Sequence, residues 1–230
     1  MVPPEPILVL VTDRHRLAAA LGAPAGQALA LVEAQACGAV AGGVSILHVR
    51  EPDLGAGDLL ALTGALLTAA RGTDTRVVVN DRLDVALAAG ADGVHLRERS
   101  VASHDARRLL GAGRLVGRSV HDGAGVANAG PVDYLVAGTV FETVSKPGLA
   151  APLGLDGLRA LVQAAGARPV VAIGGLTAAN IGLAFGAGAR GGAAIGAFIP
   201  GRQARRRLAP AVKKLVETLR NGLNSSGTLP

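Results

Sequence analysis

The chain has 230 residues, half of them apolar, and a formal net charge of +6. This length supports one well-buried domain, and the single cysteine, Cys37, excludes a disulfide framework. No apolar run approaches the roughly 18 residues of a membrane-spanning helix, so we expect a cytoplasmic protein without membrane contact.

Short apolar strands alternate with Ala- and Leu-rich helical segments along the chain. We predict strands at 7–13, 45–51, 76–81, 93–96, 115–121, 134–141, 169–175 and 191–198. Helical segments separate them, for example at 57–71 and 156–167. Continuous apolar strands with intervening helices indicate a parallel sheet that is covered on both faces. Eight such units predict a single α/β domain, a closed (β/α)₈ TIM barrel, with an open doubly wound sheet as the alternative.

The C-terminal segment 202–220 carries seven of the 23 basic residues and one acid, Glu217. Its pattern predicts an amphipathic helix with a solvated basic face. Because the chain has only four aromatic residues and no reader motif, we expect no specific nucleic-acid partner. We assign the barrel domain to 1–220 and predict that the Gly/Ser/Asn-rich tail 221–230 is disordered.

Nearly every predicted strand becomes polar or Gly-rich at its carboxyl end. These ends carry Thr12, Asp13, His48, Arg50, Glu51, Asn80, Asp81, His95, Ser119, His121, Glu142, Thr143, Gly174, Gly175 and Gly196. TIM-barrel enzymes build their active sites at the carboxyl ends of the strands. Eight polar strand ends therefore predict one shared site.

Glycines follow the last two predicted strands. Gly174 and Gly175 lie between strand seven and a helix that we expect to begin near Thr177, and Gly196 ends strand eight. Barrels commonly bind phosphate at these two loops, through backbone N–H groups and a helix N-terminus. The alternative is that the glycines only form tight turns. Their position favours a phosphate site.

Two polar pairs lie on single faces of strands, at spacing i and i+2: His48 with Arg50, and Ser119 with His121. Arg50 suits a carboxylate or phosphate, and His121 suits proton transfer near neutral pH. His95, between Val94 and Leu96, is interpreted as structural.

The residues offer little for a metal ion. Asp81 is a carboxylate at a strand end, and its alternative role is to cap a helix beginning at Arg82. Mg²⁺ held with a diphosphate generally needs one or two carboxylates. Glu98 is a candidate for the second, and we expect no resident metal or other cofactor.

The strand ends "VTD", "HVRE", "NDRLDVALAAGADGVHL", "GRSVH", "DYLVAGTVFETVSKPG", "VVAIGGLTAANI" and "GAAIGAF" occur in order between residues 9 and 198. Together they resemble the thiamine phosphate synthase/TenI superfamily of (β/α)₈ barrels. One branch, thiamine phosphate synthase, is a transferase that joins a pyrimidine diphosphate to a thiazole phosphate with Mg²⁺. The other, the TenI-type thiazole tautomerases, contains isomerases that need a proton carrier and no metal.

The sequence departs from the synthase pattern at three positions. The motif Q-x-R-x-K after strand two has become His48, Arg50 and Pro52, so the glutamine and lysine that bind diphosphate in that branch are missing. Ser100 stands where G-V-H-L-G-Q-x-D has its Mg²⁺-binding aspartate. In contrast, H-x-R-E, "GRSVH" and F-E-T…K-x-G-L are typical of the tautomerase branch, and all are present.

This resemblance therefore predicts aromatisation of a carboxythiazole phosphate tautomer in thiamine biosynthesis. It implies that His121 carries the proton and that Ser119 either orients His121 or contacts the substrate. The implied substrate-binding residues are Arg50, Asn80, Ser119, Thr143, Val144, Ser145, Lys146, Gly174, Gly175, Ile195 and Gly196.

Two alternatives remain open: a thiamine phosphate synthase that uses Asp81 and Mg²⁺, and a non-catalytic regulatory protein. The expected partner is a small thiazole phosphate. A homo-oligomer and a contact between the basic C-terminal helix and thiazole synthase also remain open.

Overall fold

A computed structural model describes residues 2–143 and 151–224, apart from the side chain of Asn224. Eight parallel strands form a closed barrel in which each strand pairs with the next and β8 pairs with β1. The strands are β1 (Ile7–Val11), β2 (Ile46–Val49), β3 (Arg76–Asn80), β4 (Gly93–Leu96), β5 (Leu115–Val120), β6 (Tyr134–Gly138), β7 (Val170–Ile173) and β8 (Gly191–Ala194). The predicted (β/α)₈ barrel is confirmed, and the open sheet is excluded by the β1–β8 pairing.

Helices cover the barrel on its outside. In the described residues they are α1 (Arg14–Leu21), α2 (Ala28–Ala41), α3 (Ala56–Ala70), α4 (Leu83–Ala89), α5 (Ser103–Leu110), α6 (Gly123–Ala127), α7 (Gly154–Ala165), α8 (Ile181–Gly186) and α9 (Leu208–Asn224). Short 3₁₀ turns lie at Ala25–Gln27, Gly196–Phe198 and Arg202–Arg207.

The strands are apolar on both faces because each face packs against a different layer. Ile7, Val9 and Val11 of β1 belong to the cluster inside the barrel, whereas Leu8 and Leu10 belong to the layer between the strands and the helices. The same alternation turns every second residue of each strand toward the barrel interior. Residues continuing that inner face beyond a strand end therefore surround the barrel mouth.

Three local predictions need correction. The helix after β7 begins at Ile181 rather than near Thr177, since Asn180 Oδ1 accepts the Thr177 N–H and forms a turn there. The C-terminal segment starts as a 3₁₀ turn and becomes α9 only at Leu208. The helix then continues to Asn224, four residues beyond the expected domain end, because its apolar face packs against the barrel through residues such as Leu219 and Leu223.

Among the described residues, no single helix is both long enough and apolar enough to cross a membrane. The pair Arg14–Leu21 and Ala25–Ala41, bent by 117°, meets the length and composition criteria together. Its apolar residues include Leu17, Leu21 and Val32, which are buried in the layer between strands and helices.

Candidate active site

Four polar side chains from neighbouring strands contact one another inside the barrel. His48 Nε2 lies 3.2 Å from Asn80 Oδ1, and the rings of His48 and His95 are 4.6 Å apart. His95 Nε2 is in turn 2.9 Å from Ser119 Oγ. The structure thus brings together the predicted site residues Asn80 and Ser119 with two histidines, and it places this group below the barrel mouth.

The two histidines are buried and neutral. Burial lowers the pKa of His48 to about 4, against an opposing hydrogen bond to Asn80. Burial and the neighbouring His48 also lower the pKa of His95 well below its ordinary value. Neither imidazole is therefore a cation at neutral pH, and each has one N–H donor and one acceptor nitrogen.

His121 lies one residue past the end of β5 and is exposed at the mouth. Its Nδ1 contacts the carbonyl oxygen of Gly138 on β6. A carbonyl oxygen only accepts hydrogen bonds, so Nδ1 carries the hydrogen and the lone pair is on Nε2. This contact orients the ring and leaves one nitrogen free to accept a proton from a ligand.

Arg50 follows the end of β2, two residues beyond the inward-facing His48, and it is half-buried. Its backbone N–H donates to the hydroxyl of Thr12, 2.9 Å away, which ties the β2 loop to the end of β1. The predicted location of Arg50 at the mouth is consistent with this geometry, and its proposed contact with substrate stays a prediction.

Two structural features, the backbone angles and close neighbouring atoms, require glycine at the two positions after β7. Gly174 and Gly175 adopt φ angles of 102° and 64°. A Cβ atom on Gly174 would lie 2.4 Å from Thr139 Cγ2, and one on Gly175 would lie 2.4 Å from the carbonyl oxygen of Glu142. The left-handed φ angles and these contacts explain the glycines without a ligand, so phosphate binding stays a prediction.

Gly196 begins the 3₁₀ turn after β8, and Ile195 precedes it. A Cβ atom on Gly196 would lie 2.8 Å from Nη2 of Arg16, a residue of α1. A guanidinium group therefore lies beside the loop where phosphate is predicted, and it suits a phosphate ligand. Of the remaining predicted residues, Thr143 is half-buried, while Val144, Ser145 and Lys146 lie outside the described residues.

The thiamine monophosphate synthase family matches residues 8–198 of this chain. The chain belongs to this family. A relative from Geobacter sulfurreducens named "Putative thiamine-phosphate synthase" is 44% identical over 202 residues, covering 87% of this chain and 90% of the relative. The thiamine-phosphate synthase of Moorella thermoacetica is 40% identical, over 70% of this chain and 78% of the relative.

A solved structure of thiamine phosphate pyrophosphorylase from Pyrococcus furiosus has a TM-score of 0.76 and 29% identity, covering 96% of both chains. The superfamily resemblance and a role in thiamine biosynthesis are confirmed. The names of the relatives support the synthase, the alternative in the sequence analysis, better than the tautomerase.

The family's synthase branch implies Mg²⁺ at Asp81, but the surrounding residues do not fit that ion. Arg97 Nε donates to Asp81 Oδ2 at 2.6 Å, and the hydroxyl of Ser100 donates to Oδ1. Glu98, the candidate for a second carboxylate ligand, instead lies near Gly125. Its Oε1 is 3.7 Å from the position that a Cβ atom on Gly125 would take. The described residues contain no group of three or more His, Cys, Asp or Glu side chains that could hold a metal. An arginine and a serine thus satisfy the carboxylate that would bind the ion.

Asp81 does not cap a helix, which was its alternative role. Helix α4 begins at Leu83, and Arg82 takes the cap position without a side-chain hydrogen bond. Asp81 itself has a φ angle of 60°, the only positive value among the described non-glycine residues. Asp81 thus adopts a backbone conformation that is unusual for a residue other than glycine. Its hydrogen bonds to Arg97 and Ser100 hold the side-chain carboxylate in place.

Sequence reasoning missed three residues of this region: Arg16, Arg97 and Tyr134. Arg97 directly follows β4 and Arg16 lies in the first turn of α1, and neither differs in composition from the many other arginines of the chain. Tyr134 is the only tyrosine in the chain and begins β6, and its hydroxyl lies 3.3 Å from His95 Nδ1. Cys37, the single cysteine, is exposed on α2.

Proposed function

We propose that this family member is a thiazole tautomerase that aromatises a carboxythiazole phosphate tautomer. The observation that carries the proposal is the contact between His121 Nδ1 and the Gly138 carbonyl, which leaves Nε2 as a base at the mouth. Nε2 takes a proton from the ring carbon of the substrate, and the resulting imidazolium returns it to the exocyclic carbon. The reaction is balanced because the same proton is removed and returned.

The surrounding groups support this chemistry. The Gly138 carbonyl keeps accepting from Nδ1–H while the ring is positively charged, so it stabilises the imidazolium. We assign the substrate carboxylate to Arg50, which follows β2, and Asn80 lies on the inner face of β3. The loops at Gly174, Gly175, Ile195 and Gly196, together with Arg16, suit its phosphate. Thr143, Val144, Ser145 and Lys146 belong to the loop proposed to border the ring.

The synthase is the second candidate, because the relatives carry that name. Its reaction requires stabilisation of a departing diphosphate, for which Mg²⁺ is the family's usual agent. The ion pair between Asp81 and Arg97 argues against that site. We therefore place the synthase second on the chemistry of these residues, in spite of the names.

The deciding experiment is an ultraviolet assay for aromatisation of the tautomer in the presence of EDTA. We expect the wild type to be active and His121→Ala to lose about 10²-fold or more of kcat, as removal of an acid–base group predicts. His104→Ala, at an exposed position on α5, is the matched control and should be fully active.

No acceleration by the wild type would contradict the tautomerase. Mg²⁺-dependent coupling of pyrimidine diphosphate with thiazole phosphate would then identify the synthase. Ligand binding without either reaction would identify the non-catalytic regulatory protein. Sedimentation of the protein alone would test for a homo-oligomer, and sedimentation with thiazole synthase would test for a complex of the two proteins.

A further inference from the structure

A row of three polar side chains crosses the barrel interior below the mouth. Tyr134 OH lies 3.3 Å from His95 Nδ1, and His95 Nε2 lies 2.9 Å from Ser119 Oγ. We call Tyr134, His95 and Ser119 the interior relay. The strand register aligns it, since His95 pairs with Gly117 and Gly117 pairs with Tyr134.

The missing side chain of Gly117 makes room for this row. A Cβ atom there would lie 2.2 Å from Cζ of Tyr134, so any larger residue would displace the phenol ring. Gly117 and Ser119 lie on the inner face of β5, and His121, one residue past the strand end, continues that face at the next i+2 position. The relay thus ends at Ser119, one inward-facing position below His121.

The direction of the hydrogen bonds in the relay follows from which groups carry a hydrogen. His95 is buried and neutral, so only one of its ring nitrogens carries hydrogen. Tyr134 is 1% exposed, and within the described part of the chain its hydroxyl bonds only to His95. If Nδ1 donated to this oxygen, the phenolic proton would be buried without an acceptor, which is costly. The hydroxyl of Tyr134 therefore donates to Nδ1.

The remaining hydrogen of His95 is then on Nε2, which donates to Ser119 Oγ. The hydroxyl hydrogen of Ser119 consequently points away from His95. No acceptor for it occurs in residues 2–143 or 151–224, and Ser119 is half-buried directly below the mouth. A ligand atom is the natural acceptor.

We propose that Tyr134 and His95 are positioning residues that hold Ser119 as a hydrogen-bond donor to the carboxylate of the bound substrate. The carboxylate is the expected acceptor because Ser119 lies next to His121 on the inner face, whereas the proposed phosphate site follows β7 and β8. This inference rests on the proposed function for the identity of the ligand, but the direction of the relay does not.

The direction can be measured without substrate by long-range ¹H–¹⁵N NMR on histidine side chains, which distinguishes the two neutral tautomers. The His95 signals are those absent from a His95→Gln variant. We expect the Nε2–H tautomer in the wild type, and we expect Tyr134→Phe to release His95 into a mixture of both. An Nδ1–H tautomer in the wild type overturns the proposal.

The contact with substrate is tested by a double-mutant cycle on the tautomerase. Ser119→Ala should raise KM by about 10-fold or more, and Tyr134→Phe by about 3-fold, as for single hydrogen bonds, with kcat less affected. Since both changes remove the same donor, the double variant should be no worse than Ser119→Ala. The positioning role would be overturned if the KM increases of the two single variants multiplied in the double variant, or if the variants lost kcat alone.

The two proposals fail in different ways. A wild type with the Nε2–H tautomer but no tautomerase activity contradicts the proposed function and the carboxylate contact together, while the direction of the relay stands. An active enzyme with the Nδ1–H tautomer contradicts the relay alone.

Discussion

The guanidinium of Arg97 is paired with the carboxylate of Asp81 at the end of β3, with Nε 2.6 Å from Oδ2. Ser100, three residues after Arg97, donates to the other carboxylate oxygen and also accepts the Arg97 N–H at 2.8 Å. One short loop therefore supplies both partners of Asp81. The family resemblance implies a Mg²⁺-binding aspartate at the position of Ser100, and here an arginine and this serine bind the Asp81 carboxylate.

We predict that the double change Arg97→Gln with Ser100→Asp creates a Mg²⁺ response. Two carboxylates without the guanidinium repel each other, so the variant should melt below the wild type in EDTA. Millimolar MgCl₂ should then raise its Tm by at least about 2 °C, because an ion that binds only the folded state stabilises it. The control is Arg97→Gln with Ser100→Asn, which lacks the second carboxylate. An equal rise in wild-type Tm would mean that the existing residues already hold the ion.

We predict that His48 makes the protein less stable in mild acid. The pKa of His48 is about 4 in the folded chain and about 6.5 when unfolded, so between these values only the unfolded state binds the proton. Stability should fall as the pH drops through this window, by about 2 kcal/mol between about pH 7 and pH 5. Urea unfolding of wild type and His48→Gln measures the effect as the difference in pH dependence.

The comparison with His48→Gln removes the contribution of Glu51, which has the opposite sign. Burial raises the pKa of the Glu51 carboxyl, so its contribution to stability falls as the pH rises above the ordinary pKa of a glutamate. His104→Gln on the exposed face of α5 serves as the control. An unchanged pH dependence in His48→Gln would show that His48 titrates normally in the folded state.

We predict that Glu51 stabilises the junction of β1 and β2. Its side chain is 2% exposed and accepts hydrogen bonds from the Arg14 N–H and from Arg14 Nη1, both at 3.0 Å. Glu51→Ala leaves the backbone N–H of Arg14 without its buried acceptor, while the Arg14 guanidinium keeps its pair with the exposed Asp53. The change should lower the free energy of unfolding by about 2 kcal/mol. Asp84→Ala breaks an exposed pair with Arg82 and should cost less than about 1 kcal/mol. Equal losses in urea denaturation would contradict a special role for Glu51.

We predict opposite effects for alanine at two glycines. In Gly117→Ala the new Cβ meets the Tyr134 ring at 2.2 Å, and overpacking should destabilise the barrel by about 1–3 kcal/mol. Gly64 lies inside α3, and apart from the backbone of its own helix nothing lies within 4 Å of its Cβ position, so Gly64→Ala should stabilise by about 1 kcal/mol. Thermal unfolding gives both signs in one experiment. A neutral Gly117→Ala would mean that Tyr134 can leave the interior relay without cost.

The number and order of the strands were predictable because each buried parallel strand is a short apolar run between helical segments. All eight predicted strands occur, but most end two to four residues earlier than expected, as at Gly138 and Ala194. Polar and glycine residues that follow a strand continue its inner face without pairing in the sheet. From the sequence pattern alone, such residues cannot be distinguished from residues that are paired in the strand.

His121 and Ser119 could be singled out from sequence, since their i and i+2 spacing at a strand end is a local property. The partners of these residues could not. Gly138 and Tyr134 lie on the next strand, and His95, interpreted as structural, joins Ser119 to Tyr134 only through the barrel register.

By itself, the sequence determined the barrel and the position of the mouth. The alternation of apolar strands and helices, and the polar residues at strand ends, are local patterns that can be read without knowledge of tertiary contacts. The tertiary structure alone decided that Asp81 pairs with Arg97 and that a buried row of Tyr134, His95 and Ser119 lies beneath His121. Closure of the sheet places side chains from separate strands within hydrogen-bonding distance, and such distances depend on register rather than on neighbours in the chain. Burial then lowers the pKa of His48 and His95, which no local pattern predicts.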